Sequence, residues 1–174
     1  MFRSLTFVLV STVLLATGCA GESTTEPEAG SAMAGSSGGL AATRPASADC
    51  TTTFVPSDFT YPLLTIQIDG VCKLRHGGRA TLRATQRIDV TNGSLTNLST
   101  YVAANGDEIH TSFAGSSTSP PGSADVTFVG EETYIGGTGR FAGASGRASV
   151  TGSATLAPDQ SGVGAYQVDG WITY

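Results

Sequence analysis

The chain has 174 residues, with 9 lysines and arginines against 14 aspartates and glutamates and a net charge of −5. No basic stripe is present to neutralise phosphates, which argues against nucleic acid as a partner. The 3 cysteines include no CxxC, and the 2 histidines, His76 and His110, lie in different segments, so neither a metal site nor a cofactor is expected.

In chain order, Arg3 gives a short positive start and residues 5–15 an apolar run too short to span a bilayer as a helix. Leu15-Ala16-Thr17-Gly18-Cys19 follows. This segment resembles the bacterial lipoprotein signal, in which small residues precede a cysteine that is diacylated through its sulfur and becomes the mature N-terminus. The departure is Ala16, three places before the cysteine, because the usual leucine stands one place earlier, at Leu15. The resemblance implies a signal peptide over 1–18, lipidation of Cys19, and a membrane-anchored protein of the cell envelope, outside the cytoplasm and in the outer membrane if the host has one. Several acyl chains hold a protein on a membrane essentially permanently. The competing reading is an ordinary secretory signal that leaves a free cysteine.

Residues 20–49 are mostly Gly, Ser, Ala, Thr, Glu and Pro, and cannot bury enough surface to offset their conformational entropy. With Cys19 at its head, 19–49 reads as a flexible tether reaching roughly 30 Å. Cys50 and Cys72 remain as an even pair of thiols in an exported chain and read as one disulfide. Closing that loop stabilises by roughly 3 kcal/mol.

From residue 50 to 174 the pattern has period two. Ala80, Leu82, Ala84, Gln86, Ile88 and Val90 alternate with Arg79, Thr81, Arg83, Thr85, Arg87 and Asp89, a strand with one dry and one wet face. The same form recurs around Leu64, Ile66 and Ile68, along Ala148 to Leu156, and through Tyr166, Val168, Gly170 and Ile172. Turn signals separate these runs, with Asn92-Gly93 the strongest. Strands are expected near 51–55, 63–70, 79–91, 94–103, 107–115, 124–134, 147–156 and 164–174, with no helix. The fold class is all-β, and up-and-down strands of this kind form a closed barrel or a sandwich. Small inward residues (Ala80, Ala84, Ala148, Gly152, Ala154, Gly170) favour the eight-stranded antiparallel barrel, and leave open whether its interior is filled or hollow.

The run from Gly136 to Gly146 contains Gly137-Thr138-Gly139-Arg140-Phe141-Ala142, a match to the dinucleotide fingerprint. Another alternating strand follows it rather than a helix, so nothing is in place to receive a pyrophosphate. The glycines read instead as a tight connection between strands, with Phe141 tucked into the barrel end. The segment resembles the Gly-Gly-Thr-Gly-(Arg/Lys)-Phe stretch of dirigent proteins and of the related allene oxide cyclase barrels. Arg75-His76-Gly77-Gly78-Arg79 and Asn105-Gly106-Asp107 are similar to further stretches of that group. The resemblance implies an eight-stranded, calycin-like antiparallel barrel over most of 70–174. It does not carry the catalytic residues of those enzymes onto positions here.

No catalytic constellation stands out. Glu131 and Glu132 are adjacent and face opposite sides of a strand. One of them, with Tyr134, would have to enter the barrel to matter, and a solvated strand end is the plainer reading. His110 shares the parity of Glu108 and Ser112, which places it outside. Trp171 sits on the polar parity of its strand: it is an exposed aromatic, or the inside and outside are inverted there. Arg75, His76 and Arg79 are candidates for the rim of a ligand site, and Leu82, Ile88, Val150, Tyr166 and Ile172 for its interior. The first functional reading is binding of a small apolar or amphipathic molecule, neutral or weakly anionic, in the barrel. The alternatives are a non-catalytic structural or interaction module of the envelope, and a cyclase or isomerase.

Overall fold

Alternation of side chains dictates the strands, and register then decides what the barrel encloses. The computed structural model describes residues 41–174; the expected signal peptide, the lipidation site Cys19 and the tether up to residue 40 lie outside the described residues. The elements are β1 (Thr43–Thr60), β2 (Leu63–Leu74), β3 (Gly78–Asp89), β4 (Ser94–Ala103), β5 (Glu108–Thr118), β6 (Asp125–Gly137), a 3-10 turn (Gly139–Phe141), β7 (Ser145–Leu156) and β8 (Gly162–Thr173). Each strand pairs antiparallel with the next, and β8 returns to β1. The sheet therefore closes into an eight-stranded barrel without an unpaired edge, as the alternation implied, and not into a sandwich.

The first strand corrects the expected boundary. It begins at Thr43, inside the stretch read as tether up to 49, and runs well past the expected 51–55. Segment 43–49 is paired along β8, from Thr43 opposite Thr173 to Asp49 opposite Gln167, and its inward Ala46 and Ala48 are buried. Small side chains that look like linker are what a barrel wall needs where opposite walls approach.

One end of the barrel is filled. Cys50 and Cys72 lie directly opposite each other on β1 and β2 and are bridged. Both belong to the larger buried cluster, with Ala80, Ala148, Val168 and Ile172. Phe141 stops this end: it is 2% exposed, its ring meets Tyr174 edge-on at 4.8 Å, and the Arg140 guanidinium lies 4.6 Å from its centroid.

The connection that carries Phe141 is held by its own backbone chemistry. Thr138 N–H donates to the Glu108 carbonyl at 2.9 Å, and Glu108 N–H donates to Thr138 Oγ1 at 3.0 Å. Gly139 has φ +54°, and a Cβ there would collide with the Asp107 carboxylate. That carboxylate in turn accepts from Asn105 Nδ2 at 2.8 Å and faces Arg140 Nε at 3.6 Å.

Candidate functional site

The other half of the barrel is hollow. A cavity of about 450 Å³ runs inward from the end formed by the turns after β1, β3, β5 and β7. Its walls are Phe54, Leu64, Ile66, Ile88, Leu95 and Leu156, and it reaches solvent past Val90, Gly93 and Gln160. Phe59, Tyr61, Leu63 and Val90 stand exposed around this mouth. The carboxylates at the same end are Asp58, Asp89, Asp125 and Asp159, against Arg87 among the described residues. Asp89 and Asp159 are held below the usual carboxylate range by hydrogen bonds from Thr91 and Ser161 respectively, so both stay charged.

Polar groups converge at the floor. Glu132 on β6 is 3% exposed, and its Oε1 accepts from Tyr101 O–H at 2.7 Å and from Thr111 O–H at 2.7 Å. Tyr101 also lies 3.1 Å from the Tyr166 hydroxyl. Burial raises the Glu132 carboxyl above its ordinary range, although the Thr111 and Tyr101 hydrogen bonds pull the other way. Burial and the nearby Glu132 raise Tyr101, Tyr134 and Tyr166 as well, so all three phenols stay neutral. Along one wall, Ser99 donates to Asn97 at 3.0 Å and Asn97 to Gln86 at 3.3 Å. The arrangement can orient one polar head beneath an apolar body.

Register explains how these groups meet. Glu132 lies opposite Phe113 on β5 and Ala148 on β7, so its parity is inward, while Glu131 faces out to Arg147 at 3.4 Å. The β5–β6 ladder then slips: His110 pairs with Gly136 and Thr111 with Tyr134, leaving Ile135 as an exposed extra residue. Gly152 makes room on β7, because a Cβ there would fall 2.5 Å from both Phe128 and Tyr166. Those two rings pack edge-on at 6.3 Å.

Of the interior residues expected from sequence, Leu82, Ile88, Val150 and Tyr166 line the cavity. Ile172 does not; it packs at the plugged end, next to Phe141. The expected rim is corrected too. Arg75 and His76 lie in the turn after β2, and Arg79 at the start of β3, so all three sit at the plugged end. Turns alternate between the two ends of an up-and-down barrel, and the mouth lies at the end the β2–β3 turn does not reach. The mouth is acidic, which removes the basis for a weakly anionic ligand. The reading of the Glu131-Glu132 pair as a solvated strand end holds for Glu131 and fails for Glu132. His110 lies outward, with Nε2 2.9 Å from Glu108 Oε2, and Trp171 is 48% exposed, so inside and outside are not inverted on β8.

Sequence reasoning missed Tyr101, Thr111 and the Gln86-Asn97-Ser99 line. On β4 the alternation breaks at 97–99, where Asn97 and Ser99 lie inward and Leu98 is 64% exposed, although Leu95 and Tyr101 on the inward parity are buried as usual.

No protein-family model matches the chain, and no curated protein matches it in sequence. A solved structure of a pterocarpan synthase dirigent protein is similar in fold, with a TM-score of 0.54 and 13% sequence identity over 76% of this chain and 86% of that one. The chain thus has a dirigent-like barrel.

Proposed function

We propose that the protein binds a small apolar or amphipathic molecule inside the barrel and is held on the envelope membrane by lipid at Cys19. The observation that supports the binding reading best is the 450 Å³ cavity, apolar along its walls, open at one end and furnished with a few converging polar groups at its floor. A neutral fluorescent probe such as N-phenyl-1-naphthylamine should bind the chain with roughly micromolar affinity, about 8 kcal/mol. Leu82→Trp, which projects into the cavity, should abolish that binding while the barrel still melts cooperatively. No binding to the parent chain would remove the proposal.

Anchoring is tested separately: Cys19→Ala should move the protein from the detergent phase to the aqueous phase, and unchanged partitioning would contradict it. A second reading, a non-catalytic interaction module, draws on exposed Phe59, Tyr61, Leu63 and Val90 at the mouth. The third, a cyclase or isomerase, draws on the buried carboxyl of Glu132, which could move a proton to a bound molecule. A cavity occupant recovered chemically altered after incubation would favour it.

A further inference from the structure

We propose that the cavity takes an apolar molecule headed by one neutral hydroxyl, seated between Glu132 and Tyr166 with its tail toward the mouth. The inference rests on the binding reading above and follows from counting protons at the floor. Tyr101 has one hydroxyl proton, and it goes to Glu132 Oε1 at 2.7 Å. The 3.1 Å contact between Tyr101 and Tyr166 must then use the proton of Tyr166, which leaves the Tyr166 oxygen able to accept. Thr111 donates to the same Oε1, so a neutral Glu132 carries its proton on Oε2. Among the described residues Oε2 has no hydrogen-bond partner, yet it is not sealed off, since no side-chain nitrogen or oxygen there is both buried and unpartnered.

Two spaces border Glu132. One is the cavity; the other is a pocket of about 40 Å³ toward the plugged end, room for about one water and no ligand. When Glu132 holds its proton, the floor offers a ligand one O–H donor and one phenolic acceptor, and a hydroxyl supplies the complement of both. An ether answers Glu132 and leaves Tyr166 without a donor, and an alkane answers neither. A carboxylate only accepts, so it answers Glu132 and leaves Tyr166 without a donor, and its charge would have to leave water for an apolar cavity at the end that carries Asp58, Asp89, Asp125 and Asp159.

The test is displacement of N-phenyl-1-naphthylamine from the full chain by 1-decanol, 1-methoxynonane, decane and decanoate. Decanol should bind roughly tenfold more tightly than the ether, and decanoate more weakly than any other member. Glu132→Gln should keep the preference for alcohol, because its amide N–H replaces the acid proton. Glu132→Leu combined with Tyr166→Phe should lose that preference and still bind the probe. Should the double variant fail to fold, the four ligands on the parent chain decide alone. Equal displacement by decanol and methoxynonane, or strongest displacement by decanoate, overturns the hydroxyl proposal and leaves the cavity reading standing. Failure of the probe to bind the parent chain overturns both.

Discussion

One half of this barrel is solid and the other hollow, although the same eight strands build both. Wall size does not separate them: the hollow half mixes Phe54, Leu64 and Ile66 with Ala84 and Ala154, and the solid half mixes Ala46, Ala48, Ala80 and Ala148 with Ile109, Tyr134, Val168 and Ile172. What differs is the connections. At the plugged end, the segment after β6 folds back and delivers Phe141 into the lumen, where the Cys50–Cys72 bridge already sits. At the mouth, the turns after β1, β3 and β7 are short, and Val90, Gly93 and Gln160 border the opening without filling it. The cavity thus depends on which loop re-enters the barrel.

Removing the stopper should have the largest effect. Phe141→Ala should cost about 3–5 kcal/mol in denaturant unfolding, whereas Ile88→Ala on the cavity wall should cost less than about 2 kcal/mol, because it only widens existing space. Equal losses would erase the distinction between the halves. Next is the bridge: reducing it should cost roughly 3 kcal/mol, and mass spectrometry without reductant should show the two cysteine peptides linked. Free alkylation of both thiols in the unreduced, denatured chain would contradict the structure. Gly139→Val, which forces a side chain against Asp107 at positive φ, should cost about 1–3 kcal/mol whether or not a nucleotide is present. Unchanged melting together with lost nucleotide binding would restore the dinucleotide reading of that loop.

The smallest effect concerns the floor between the halves. Burial raises Glu132, so the unfolded chain ionises at lower pH than the folded one. Stability from this group is fully present below the unfolded value and is lost as pH rises through the folded one. Glu132→Gln has no such loss. Its melting temperature should exceed that of the parent by a few degrees near pH 8 and by almost nothing near pH 4. A gain confined to acid pH would mean that the carboxyl is stabilised as the anion.

The barrel was largely legible because strands with one dry face announce themselves by parity, as Leu82, Ala84 and Ile88 do against Arg83, Thr85 and Arg87. The start of β1 was not, since Ala46 and Ala48 acquire strand character only from β8 beside them. The site was legible in part. Leu82 and Tyr166 follow from parity, but which end is open depends on where Phe141 lands, and so the cations Arg75, His76 and Arg79 were assigned to the wrong mouth. Glu131 and Glu132 are chemically identical in sequence; pairing of Glu132 with Phe113 and Ala148 separates a surface charge from a buried acid.

The pairing of Thr43 with Thr173 places the first and last strand residues side by side, with Ala42 N–H donating to the Tyr174 carbonyl at 3.2 Å. In a chain cut back to the barrel, without residues 1–42, a few added residues would splice these neighbouring strand ends into a ring. The chain could then be cut anew between Pro120 and Gly122, an exposed turn on the opposite rim. Such a circularly permuted protein would keep every strand pair, and its new ends would emerge beside the opening, where a reporter fused to either one would sense what enters.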